Sequence, residues 1–452
     1  MRMSLSAAAQ RIGARHLGAD AAFSGVSTDS RTLRPGELFV ALKGQRFDGH
    51  EHLGEAEGRG AVGALVERAM QHALPLILVD DTRRALGDLA RVWRQEVSPR
   101  VLGVTGSNGK TTVKEMAAAV LGGVGSTLAT RGNLNNEIGV PLTLLRLRDE
   151  AFAVVELGAN HPGEIATLSR IALPEVAVLN NAGAAHLEGF GSLEGVARAK
   201  AEILAGLSAD GVFVYNADDA WAGLWRELAE GHGTRTFGLG PRADVHSPED
   251  EAETRWDERG FHSHFPVETP EGRVAIELHL GGAHNRMNAL AAVAACQAMG
   301  ADAAAISAGL ASIRPVRGRL EPRAGLGGMH LIDDSYNANP DSVWAAIRVL
   351  ATAPGRRFLV LGDLAELGAE AETLHAELGE RARQAGLDHV YGVGPLSRAA
   401  VQRFGAGGRW FQDREHLVDE LMQQCGRDDF LLIKGSRASR MDEVAGILAG
   451  EE

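Results

Sequence analysis

Residues 101–121, VLGVTGSNGKTTVKEMAAAVL, decide how this chain folds. The stretch reads as a buried strand, a short turn that ends in Lys110 and two threonines, and a run of helix-forming residues. Backbone N–H groups of such a turn point at phosphate oxygens, the lysine adds a positive charge, and a threonine hydroxyl is a Mg²⁺ ligand. Val104 stands where the general pattern has its first glycine, with Gly106 inside the loop instead. The stretch predicts a site for an adenine nucleotide and magnesium, with a glycine turn and a surface lysine as the alternative.

Apolar strand candidates separated by helix-length segments follow this stretch. They are FAVVELGAN at 152–160, EVAVLNNAG at 175–183 and GVFVYNADD at 211–219. Continuous apolar runs of this kind are typical of parallel strands that are buried on both faces. A more polar stretch around 241–280 predicts an antiparallel insertion, and the alanine-rich segment 284–299 predicts a helix.

The 452 residues divide into three blocks, which we predict to be three α/β domains. Residues 99–314 form the central domain, a parallel sheet that carries the phosphate loop. Residues 1–98 have short apolar runs between helical stretches, and residues 315–452 alternate strand and helix as in a small doubly wound, Rossmann-like sheet. The segment 311–323, with two prolines and four arginines, predicts a hinge between the second and third domains.

The composition excludes several classes of protein. With 45% hydrophobic and 23% charged residues the chain is neither disordered nor collagen-like. Two cysteines are too few to stabilise it by disulfides, which favours a reducing compartment. A formal net charge of −13 would repel nucleic acid and an anionic membrane face, so a polyanionic ligand must be bound locally by loops and helix ends. We find no apolar stretch of membrane-spanning length, and the N-terminus predicts a helix, not a secretion signal. We therefore expect a cytoplasmic protein.

Polar residues at the ends of the predicted central strands indicate where a reaction could occur. Glu156 ends a strand beside the phosphate loop, where a magnesium ligand would lie, although an ordinary strand-end glutamate is equally compatible. Asn180, Asn181 and His186 follow another strand to the same sheet edge, and Lys200 comes one helix later. A lone histidine is more often structural and a lone helix lysine more often solvated. These residues alone leave a kinase, an ATPase motor, a nucleotide switch and a ligase open.

Several motifs, taken in order, resemble the Mur ligase superfamily. They are TGSNGKTT at 105–112, Glu156 in VELGAN, His186 in HLEGFGS, Lys200 in ARAKAEI, HNRMNALAA at 284–292, RGRLE at 317–321 and DDSYNANPDS at 333–342. NLNNEIGVPLTLL at 133–145 and VLGDLAELG at 360–368 point, with HLEGFGS and SYNANP, to the branch that adds D-alanyl-D-alanine to UDP-N-acetylmuramoyl-tripeptide. Each motif alone is weak, whereas the ordered set spans all three predicted domains and is specific.

The resemblance implies a reaction. ATP would phosphorylate the terminal carboxylate of the tripeptide, the amine of D-alanyl-D-alanine would attack the acyl phosphate, and phosphate would leave to give the pentapeptide used in peptidoglycan synthesis. Because a carboxylate and a polyphosphate repel each other, cations must neutralise both. The resemblance also implies a bacterial cytoplasmic enzyme that acts as a monomer.

The resemblance assigns roles to the motif residues. Lys110, Glu156, His186 and Lys200 would be catalytic. Magnesium would be held by Thr111 or Thr112, Glu156, His186 and Lys200, the last converted by CO₂ into a carbamate. ATP would be bound by Thr105, Gly106, Ser107, Asn108, Gly109, Lys110, Thr111, Thr112, His284, Asn285, Asn288, Arg319, Asp334, Tyr336 and Asn339. For the helix starts at 284 and 340, simple capping is the alternative.

The resemblance places the UDP-sugar on two loops of the first domain. These loops contain Ser27, Thr28, Asp29, Ser30 and Arg31, and Lys43, Gly44, Phe47, Asp48, Gly49 and His50, although such residues also suit any surface turn. Asn135 and Asn136 would contact the sugar–peptide. In the third domain, Lys434, Ser436, Arg437 and Arg440 could bind a carboxylate of the incoming dipeptide.

Other activities make different demands on the sequence. The sister ligase that adds a diamino acid to UDP-N-acetylmuramoyl-dipeptide carries a DNPR-type signature, which this sequence lacks. Folylpolyglutamate synthetase shares the loop but would not need the first domain. A switch or transport ATPase would need neither of the two appended α/β domains.

Overall fold

The computed structural model describes residues 1–45, 47–184, 187–248, 251–257 and 260–451. These residues form three α/β domains in sequence order, each built around its own sheet, and a two-stranded ribbon near the N-terminus. No helix in the described ranges is long and apolar enough to cross a lipid bilayer. The predicted α/β class and three-domain architecture are confirmed.

The first domain has a five-stranded sheet in the order β2-β7-β6-β5-β4, parallel except for β2. Its strands are β1 Met3–Ser4, β2 Arg15–Leu17, β3 Ala22–Phe23, β4 Gly25–Ser27, β5 Glu37–Val40, β6 Gly63–Val66 and β7 Leu76–Leu78. Its helices are α1 Leu5–Arg11, α2 Leu53–Gly58 and α3 Thr82–Val97. Strands β1 and β3 form the separate antiparallel ribbon.

Helix α3 ties the first domain to the second. Asp81 caps its N-terminus by accepting from the backbone N–H groups of Arg83 and Arg84. The Trp93 indole donates to the Leu147 carbonyl at 3.0 Å, and the Arg94 guanidinium donates to the Ala172 carbonyl at 2.9 Å. One hydrophobic cluster therefore runs continuously through both domains.

The central domain has a ten-stranded sheet in the order β15-β16-β14-β13-β12-β11-β8-β10-β9, with β17 paired to β16. The strands are β8 Arg100–Thr105, β9 Thr127–Ala129, β10 Phe152–Glu156, β11 Val176–Leu179, β12 Val212–Asn216, β13 Gly233–Gly238, β14 Val245–His246, β15 Glu253–Asp257, β16 Gly260–Thr269 and β17 Gly272–Leu278. The helices are α4 Lys110–Gly122, α5 Gly139–Leu144, α6 Glu164–Ala172, α7 Leu187–Phe190, α8 Leu193–Ala201, α9 Ala222–Leu228, α10 Ala283–Ala298 and α11 Ala303–Ser312.

Strands β8 to β14 are parallel, and β16 is antiparallel to both β15 and β17. The predicted antiparallel insertion is therefore confirmed, and it extends the central sheet through β14. The predicted alanine-rich helix is α10, which packs with α4 and α11 against one face of the sheet. The first domain and α5, α6 and α8 cover the other face.

The third domain has a six-stranded sheet in the order β18-β19-β23-β20-β21-β22, parallel except for β18. The strands are β18 Glu321–Ala324, β19 His330–Asp334, β20 Arg356–Gly362, β21 His389–Val393, β22 Gly408–Phe411 and β23 Asp429–Lys434. The helices are α12 Pro340–Leu350, α13 Ala371–Gln384, α14 Ser397–Phe404, α15 Arg414–Gln424 and α16 Met441–Leu448, on both faces of the sheet. The predicted hinge segment is the connection between α11 and β18.

Candidate active site

A cavity of about 1130 Å³ lies at the carboxyl ends of the central strands, under the third domain. Ligands of open α/β sheets bind at this edge. All the lining residues fall between 107 and 438, so the predicted sugar-nucleotide loops of the first domain do not line it. Its walls are segments 107–115, 132–137, 156–168, 181–184, 284–288, 313–320, 334–345, 365–367 and 434–438.

The phosphate loop joins β8 to α4 and needs glycine at its end. Gly109 has φ +79°, and a Cβ built on it would lie 2.2 Å from Asn288 Oδ1 and 2.4 Å from Asn180 Nδ2. A side chain would therefore break both the backbone conformation and the packing. At the other end of the loop, the buried Thr105 hydroxyl donates to the Leu157 carbonyl, so this predicted ATP residue holds the strand end in place.

Lys110 begins α4 and folds back over the loop. Its Nζ donates to the carbonyls of Gly106 at 2.7 Å and Ser107 at 3.1 Å. Burial lowers the pKa of Lys110, and the charge of Arg319 acts in the same direction. Within the described ranges this ammonium has no ion-pair partner, so its charge is available to an anion in the cavity.

Asparagine side chains connect the phosphate loop to the start of α10. Asn180 Nδ2 donates to the Asn108 carbonyl at 2.9 Å and to Asn288 Oδ1 at 2.8 Å. Asn181 Oδ1 accepts from the Asn108 backbone N–H, and Asn288 Nδ2 donates to Asn285 Oδ1. The predicted phosphate and nucleoside residues thus form one buried network. Helix α10 has no side-chain N-cap, so Asn285 and Asn288 are not capping residues.

Glu156 is the last residue of β10 and is 2% exposed. Its Oε2 accepts from the Thr111 hydroxyl at 2.9 Å, and its Oε1 accepts from Asn135 Nδ2 at 2.8 Å. A carboxylate and a hydroxyl in direct contact are the hard oxygen ligands that Mg²⁺ prefers. Thr112 and Asn136 line the cavity nearby, and Asn136 also accepts from the backbone N–H groups at the start of α5.

Lys200, near the end of α8, is 1% exposed. Its Nζ donates to the Ala159 carbonyl at 3.3 Å and lies 5.0 Å from the centre of the Phe190 ring. Burial lowers the pKa of Lys200 to about 7, and the charge of Lys110 contributes. A large fraction of this amine is therefore neutral at physiological pH. His186 lies outside the described residues.

His284 is in the first turn of α10 and lines the cavity, where the prediction places the nucleoside. Burial lowers the pKa of His284 to about 4, and the charges of Arg348 and Lys434 act in the same direction. The imidazole is therefore neutral at physiological pH, with one ring nitrogen that donates and one that accepts.

The third domain contributes cations to the cavity. Arg319 and Arg437 lie 4.4 and 5.8 Å from the centre of the Tyr336 ring. Lys434 Nζ donates to Asp334 Oδ2 at 2.6 Å, whereas burial raises the pKa of Asp334 against the effect of that lysine. The charge of Lys434 is therefore already paired.

Two of the other three residues of the predicted carboxylate-binding group are also occupied. Ser436 donates its hydroxyl to the Asp363 carbonyl at 2.7 Å, and Arg440 pairs with Glu443 outside the cavity. Arg437 is the member of that group that presents an unpaired cation to the cavity, counting only described residues.

Helix α12 docks the third domain on the phosphate loop. Asn339 caps the helix with its Oδ1, in a capping box with Ser342, while its Nδ2 donates to Asn108 Oδ1 at 2.8 Å. Asp341 Oδ2 accepts from the Ala184 backbone N–H at 3.0 Å. Asn339 is thus both a helix cap and an interdomain contact, and its predicted contact with ATP stays a prediction.

The first predicted sugar-nucleotide loop is on the surface and satisfies its own charges. Arg31 donates from Nε and Nη2 to the two carboxylate oxygens of Asp29, at 2.9 and 2.8 Å. These hydrogen bonds lower the pKa of Asp29 to about 2. The Ser27 hydroxyl donates to the Asp29 carbonyl, and the Ser30 hydroxyl donates to Glu55. Thr28 is half-buried in the same turn.

The second predicted loop is a tight turn with an exposed aromatic ring. Phe47 is 60% exposed, and Lys43 forms an isolated bridge with Asp48. The buried His50 accepts from the Glu67 backbone N–H at Nε2, and a backbone hydrogen bond from His50 lowers the pKa of Asp48 to about 2. A Cβ on Gly49 would lie 2.8 Å from the Leu42 carbonyl oxygen, so the turn requires glycine.

Sequence reasoning missed Lys114, Thr130, Asp219 and Asp341. Lys114 is buried beside the phosphate loop, and its spacing of four residues from Lys110 was the available signal, since such residues share one helix face. Asp219 accepts from the Ala182 backbone N–H at the cavity wall, and burial raises the pKa of Asp219. No local pattern marks Thr130, because its importance comes from the residue it contacts.

Family descriptions match all three domains. "Mur ligase family, catalytic domain" matches residues 22–94, "Mur ligase middle domain" matches 104–296, and "Mur ligase, glutamate ligase domain" matches 318–437. The UDP-N-acetylmuramoyl-tripeptide–D-alanyl-D-alanine ligase of Escherichia coli K12 is 47% identical over 434 residues, which cover 95% of each chain.

This chain belongs to the Mur ligase family. Solved structures resemble this Mur ligase along its whole length. Crystal structure I of MurF from Acinetobacter baumannii has a TM-score of 0.93 at 36% identity and covers 100% of this chain and 99% of that one. MurF ligase from Thermotoga maritima, in complex with ADP, has a TM-score of 0.84 at 32% identity and covers 94% of this chain and 97% of that one.

Proposed function

We propose that this Mur ligase joins D-alanyl-D-alanine to UDP-N-acetylmuramoyl-tripeptide at the expense of ATP, through an acyl phosphate. The observation that carries the proposal is the cavity itself. The phosphate loop and the Glu156–Thr111 contact meet there, and the buried amine of Lys200 donates to the wall residue Ala159. The chain is 47% identical over its length to a ligase of that name.

ATP is held by the phosphate loop and the nucleoside end of the cavity in this proposal. Backbone N–H groups at the start of α4 and the Lys110 ammonium bind the β- and γ-phosphates. Arg319 reaches the phosphates from the hinge, with Tyr336 fixing its guanidinium plane. The neutral imidazole of His284 and the amides of Asn285 and Asn288 meet the nucleoside, and Asp334 meets the ribose.

The residues at the end of β10 suit Mg²⁺. Glu156 and Thr111 or Thr112 would hold it through oxygen, and one hydrogen bond to each oxygen orients the buried carboxylate before any ion arrives. Bound Mg²⁺ withdraws charge from the phosphate oxygens and so makes ADP a better leaving group. We assign His186 to a second metal on the family resemblance.

The environment of Lys200 suits its conversion to a carbamate. Only a neutral amine reacts with CO₂, and a pKa of about 7 keeps much of this amine neutral. The reaction forms a bond from Nζ to the CO₂ carbon and releases one proton from the nitrogen. The product carries a negative charge beside Lys110, where an unmodified lysine would bring a second positive charge. That anion would help to hold the second metal.

The third domain excludes water from the reaction. An acyl phosphate is hydrolysed readily, so the carboxylate must be activated in a closed site. The contacts of Asn339 with Asn108 and of Asp341 with Ala184 close the third domain over the phosphate loop. We place the carboxylate of the incoming dipeptide on Arg437, which presents its charge to the same space.

The first domain holds the UDP-sugar at a distance from the phosphate loop. Its two loops contain Ser27 to Arg31, and Lys43, Gly44 and Phe47 to His50. Asn135 and Asn136 contact the sugar–peptide. Arg83 links the two regions, because it contacts both the Lys43 carbonyl and Glu137.

A mass-resolved product assay tests the proposal. The enzyme is given MgATP with UDP-N-acetylmuramoyl-tripeptide or the corresponding dipeptide, and with D-alanyl-D-alanine or a diamino acid. We expect the pentapeptide product, with phosphate released only when tripeptide and D-alanyl-D-alanine are both present. Product from the dipeptide and a diamino acid would identify the sister activity, and steady ATP hydrolysis without an acceptor would identify an ATPase.

A further inference from the structure

Lys114 is a cation buried close to the phosphate loop. It lies one turn after Lys110 on α4 and is 1% exposed. A charge removed from water in this way is costly unless hydrogen bonds compensate it. The partners of its ammonium therefore indicate what the residue is retained for.

The ammonium of Lys114 holds the end of β9. Its Nζ donates to the Thr130 carbonyl at 2.8 Å, directly after the strand, and its second partner is the carboxylate of the neighbouring Glu115. Thr130 is 2% exposed, and its backbone N–H donates to the Val154 carbonyl at 3.0 Å. Lys114 thus fixes the point where the chain leaves β9.

Thr130 in turn holds the strand end that carries Glu156. The Glu156 backbone N–H donates to the Thr130 hydroxyl at 3.0 Å. The loop that starts at Thr130 continues to Asn135, whose side chain donates to Glu156 Oε1 and whose carbonyl accepts from the Gly158 backbone N–H, both at 2.8 Å. Glu156 is therefore held through its backbone and its carboxylate by one loop, and Lys114 anchors that loop.

We propose that Lys114 is a positioning residue for the magnesium site: it holds Thr130 and the loop 130–136 so that the Glu156 carboxylate faces Thr111 in the geometry that the metal requires. The inference rests on the proposed function, because it takes Glu156 to be a magnesium ligand. Outer-shell partners of this kind orient a ligand without touching the metal.

The first test measures Mg²⁺ binding by calorimetry in the presence of a nonhydrolysable ATP analogue, together with the Mg²⁺ dependence of the ligase rate at saturating ATP and peptide substrates. We expect Lys114→Met, which keeps the length and loses the donors, to need up to about tenfold more Mg²⁺ for half-maximal rate. This is the lower end of the range found when a direct partner of a metal ligand is removed, because Lys114 acts on Glu156 through Thr130. Lys114→Arg, which keeps the charge and donors, should recover much of the loss. The KM for D-alanyl-D-alanine should stay unchanged in both variants.

A second pair of variants covers the case in which Lys114→Met does not fold. Thr130→Val removes the hydroxyl that accepts from Glu156 and keeps the shape, whereas Thr130→Ser retains it. We expect Thr130→Val to raise the Mg²⁺ requirement and Thr130→Ser to leave it near that of the wild type. Thermal melting of each variant identifies any general loss of structure.

Glu156→Gln distinguishes a failure of the metal assignment from a failure of the positioning role. If it leaves the Mg²⁺ dependence unchanged, Glu156 is not a ligand and the metal assignment of the proposed function fails. The other outcome is that Glu156→Gln raises the Mg²⁺ concentration needed for half-maximal rate while Lys114→Met and Thr130→Val, both folded, keep the wild-type Mg²⁺ dependence. In that case the positioning role is overturned and the proposed function stands. A uniform loss of rate at every Mg²⁺ concentration in Lys114→Met also overturns it, because that pattern indicates a purely structural role.

Discussion

The cations at the central cavity and those of the amino-terminal loops differ in whether a carboxylate neutralises them. Arg31 is bound at both carboxylate oxygens of Asp29, although 79% of its side chain is exposed. Lys110, Lys200 and Arg319 have no ion-pair partner in the part of the chain that the structure describes. Lys200 is moreover buried and Lys110 half-buried, and burial lowers the pKa of each.

The difference shows where the fold accepts an energetic cost for function. A buried cation without a counter-charge destabilises the folded chain, and a bound polyanion or a chemical modification removes that penalty. An exposed pair such as Arg31–Asp29 is self-contained and contributes little to stability. We therefore expect substitutions in the cavity to affect turnover and those in the first domain to affect binding of one substrate.

The largest effect is expected for Lys200→Ala. Without the amine there is no carbamate, and turnover at ambient CO₂ should fall on the order of a thousandfold, the scale of losing one essential charge-stabilising group. Steady-state ligase assays measure it. Arg198→Ala on the same helix is the matched control, since Arg198 is exposed and pairs with Glu194, and its rate should match the wild type. A near-normal rate for Lys200→Ala would contradict the assignment.

The next effect is the response to pH and CO₂. Because the pKa of Lys200 is about 7, its neutral fraction rises with pH through that value and falls about tenfold for each unit well below it. We expect turnover to drop as the pH is lowered from 8 to 6, more steeply in CO₂-depleted buffer, with partial recovery on adding bicarbonate.

The Arg31–Asp29 pair provides the internal control for that pH series. The pKa of Asp29 is about 2, so the pair does not titrate between pH 6 and 8, and the KM for the UDP-tripeptide should stay constant while turnover changes. Turnover that is independent of both pH and CO₂ would remove the case for a carbamate.

A smaller effect is expected at the interdomain contact. Asn339→Ser retains an N-cap oxygen but cannot reach Asn108, so the KM for ATP should rise several-fold while the melting temperature stays near that of the wild type. Asn339→Ala should show the same change and, in addition, a loss of about 1 kcal/mol in the free energy of unfolding from the missing cap. Denaturant unfolding and ATP titrations separate the two contributions. Equal ATP affinity in all three proteins would show that the contact does not assist nucleotide binding.

The smallest effect is expected for Arg31→Ala. The side chain is exposed and its pair is local, so the melting temperature and turnover should not change measurably. The KM for the UDP-tripeptide should rise several-fold, because the loop would lose its cation for the diphosphate. Equal KM values for the variant and the wild type would place the sugar nucleotide elsewhere.

The central strands and the polar residues at their ends were predictable because each is a local pattern. β8, β10, β11 and β12 are continuous apolar runs, and a carboxylate at the end of one of them had to reach the sheet edge where the loop lies. The short edge strands β9 and β22 were not predicted. They have three and four residues, and their hydrogen bonds come from β10 and β21, each of which is separated from them in the chain by one helix.

The contacts of the supporting residues could not be predicted for the same physical reason. Lys114 looks like any solvated helix lysine until the end of β9 covers it, and Asp341 looks like a first-turn helix acid until Ala184 donates to it. Asn180 and Asn288 were identified from the sequence as candidate site residues. Their hydrogen bond to each other was not, because it depends on how distant segments pack.

The glycine that ends the phosphate loop has a consequence for inhibitor design. Gly109 is enclosed by Asn180 and Asn288, and its backbone adopts a conformation that other residues avoid. A compound that hydrogen-bonds the main chain there would contact backbone atoms whose position a resistance mutation cannot change without disrupting the loop. Resistance mutations would have to change residues that contact the outer parts of the compound, and those parts are the easiest to modify chemically.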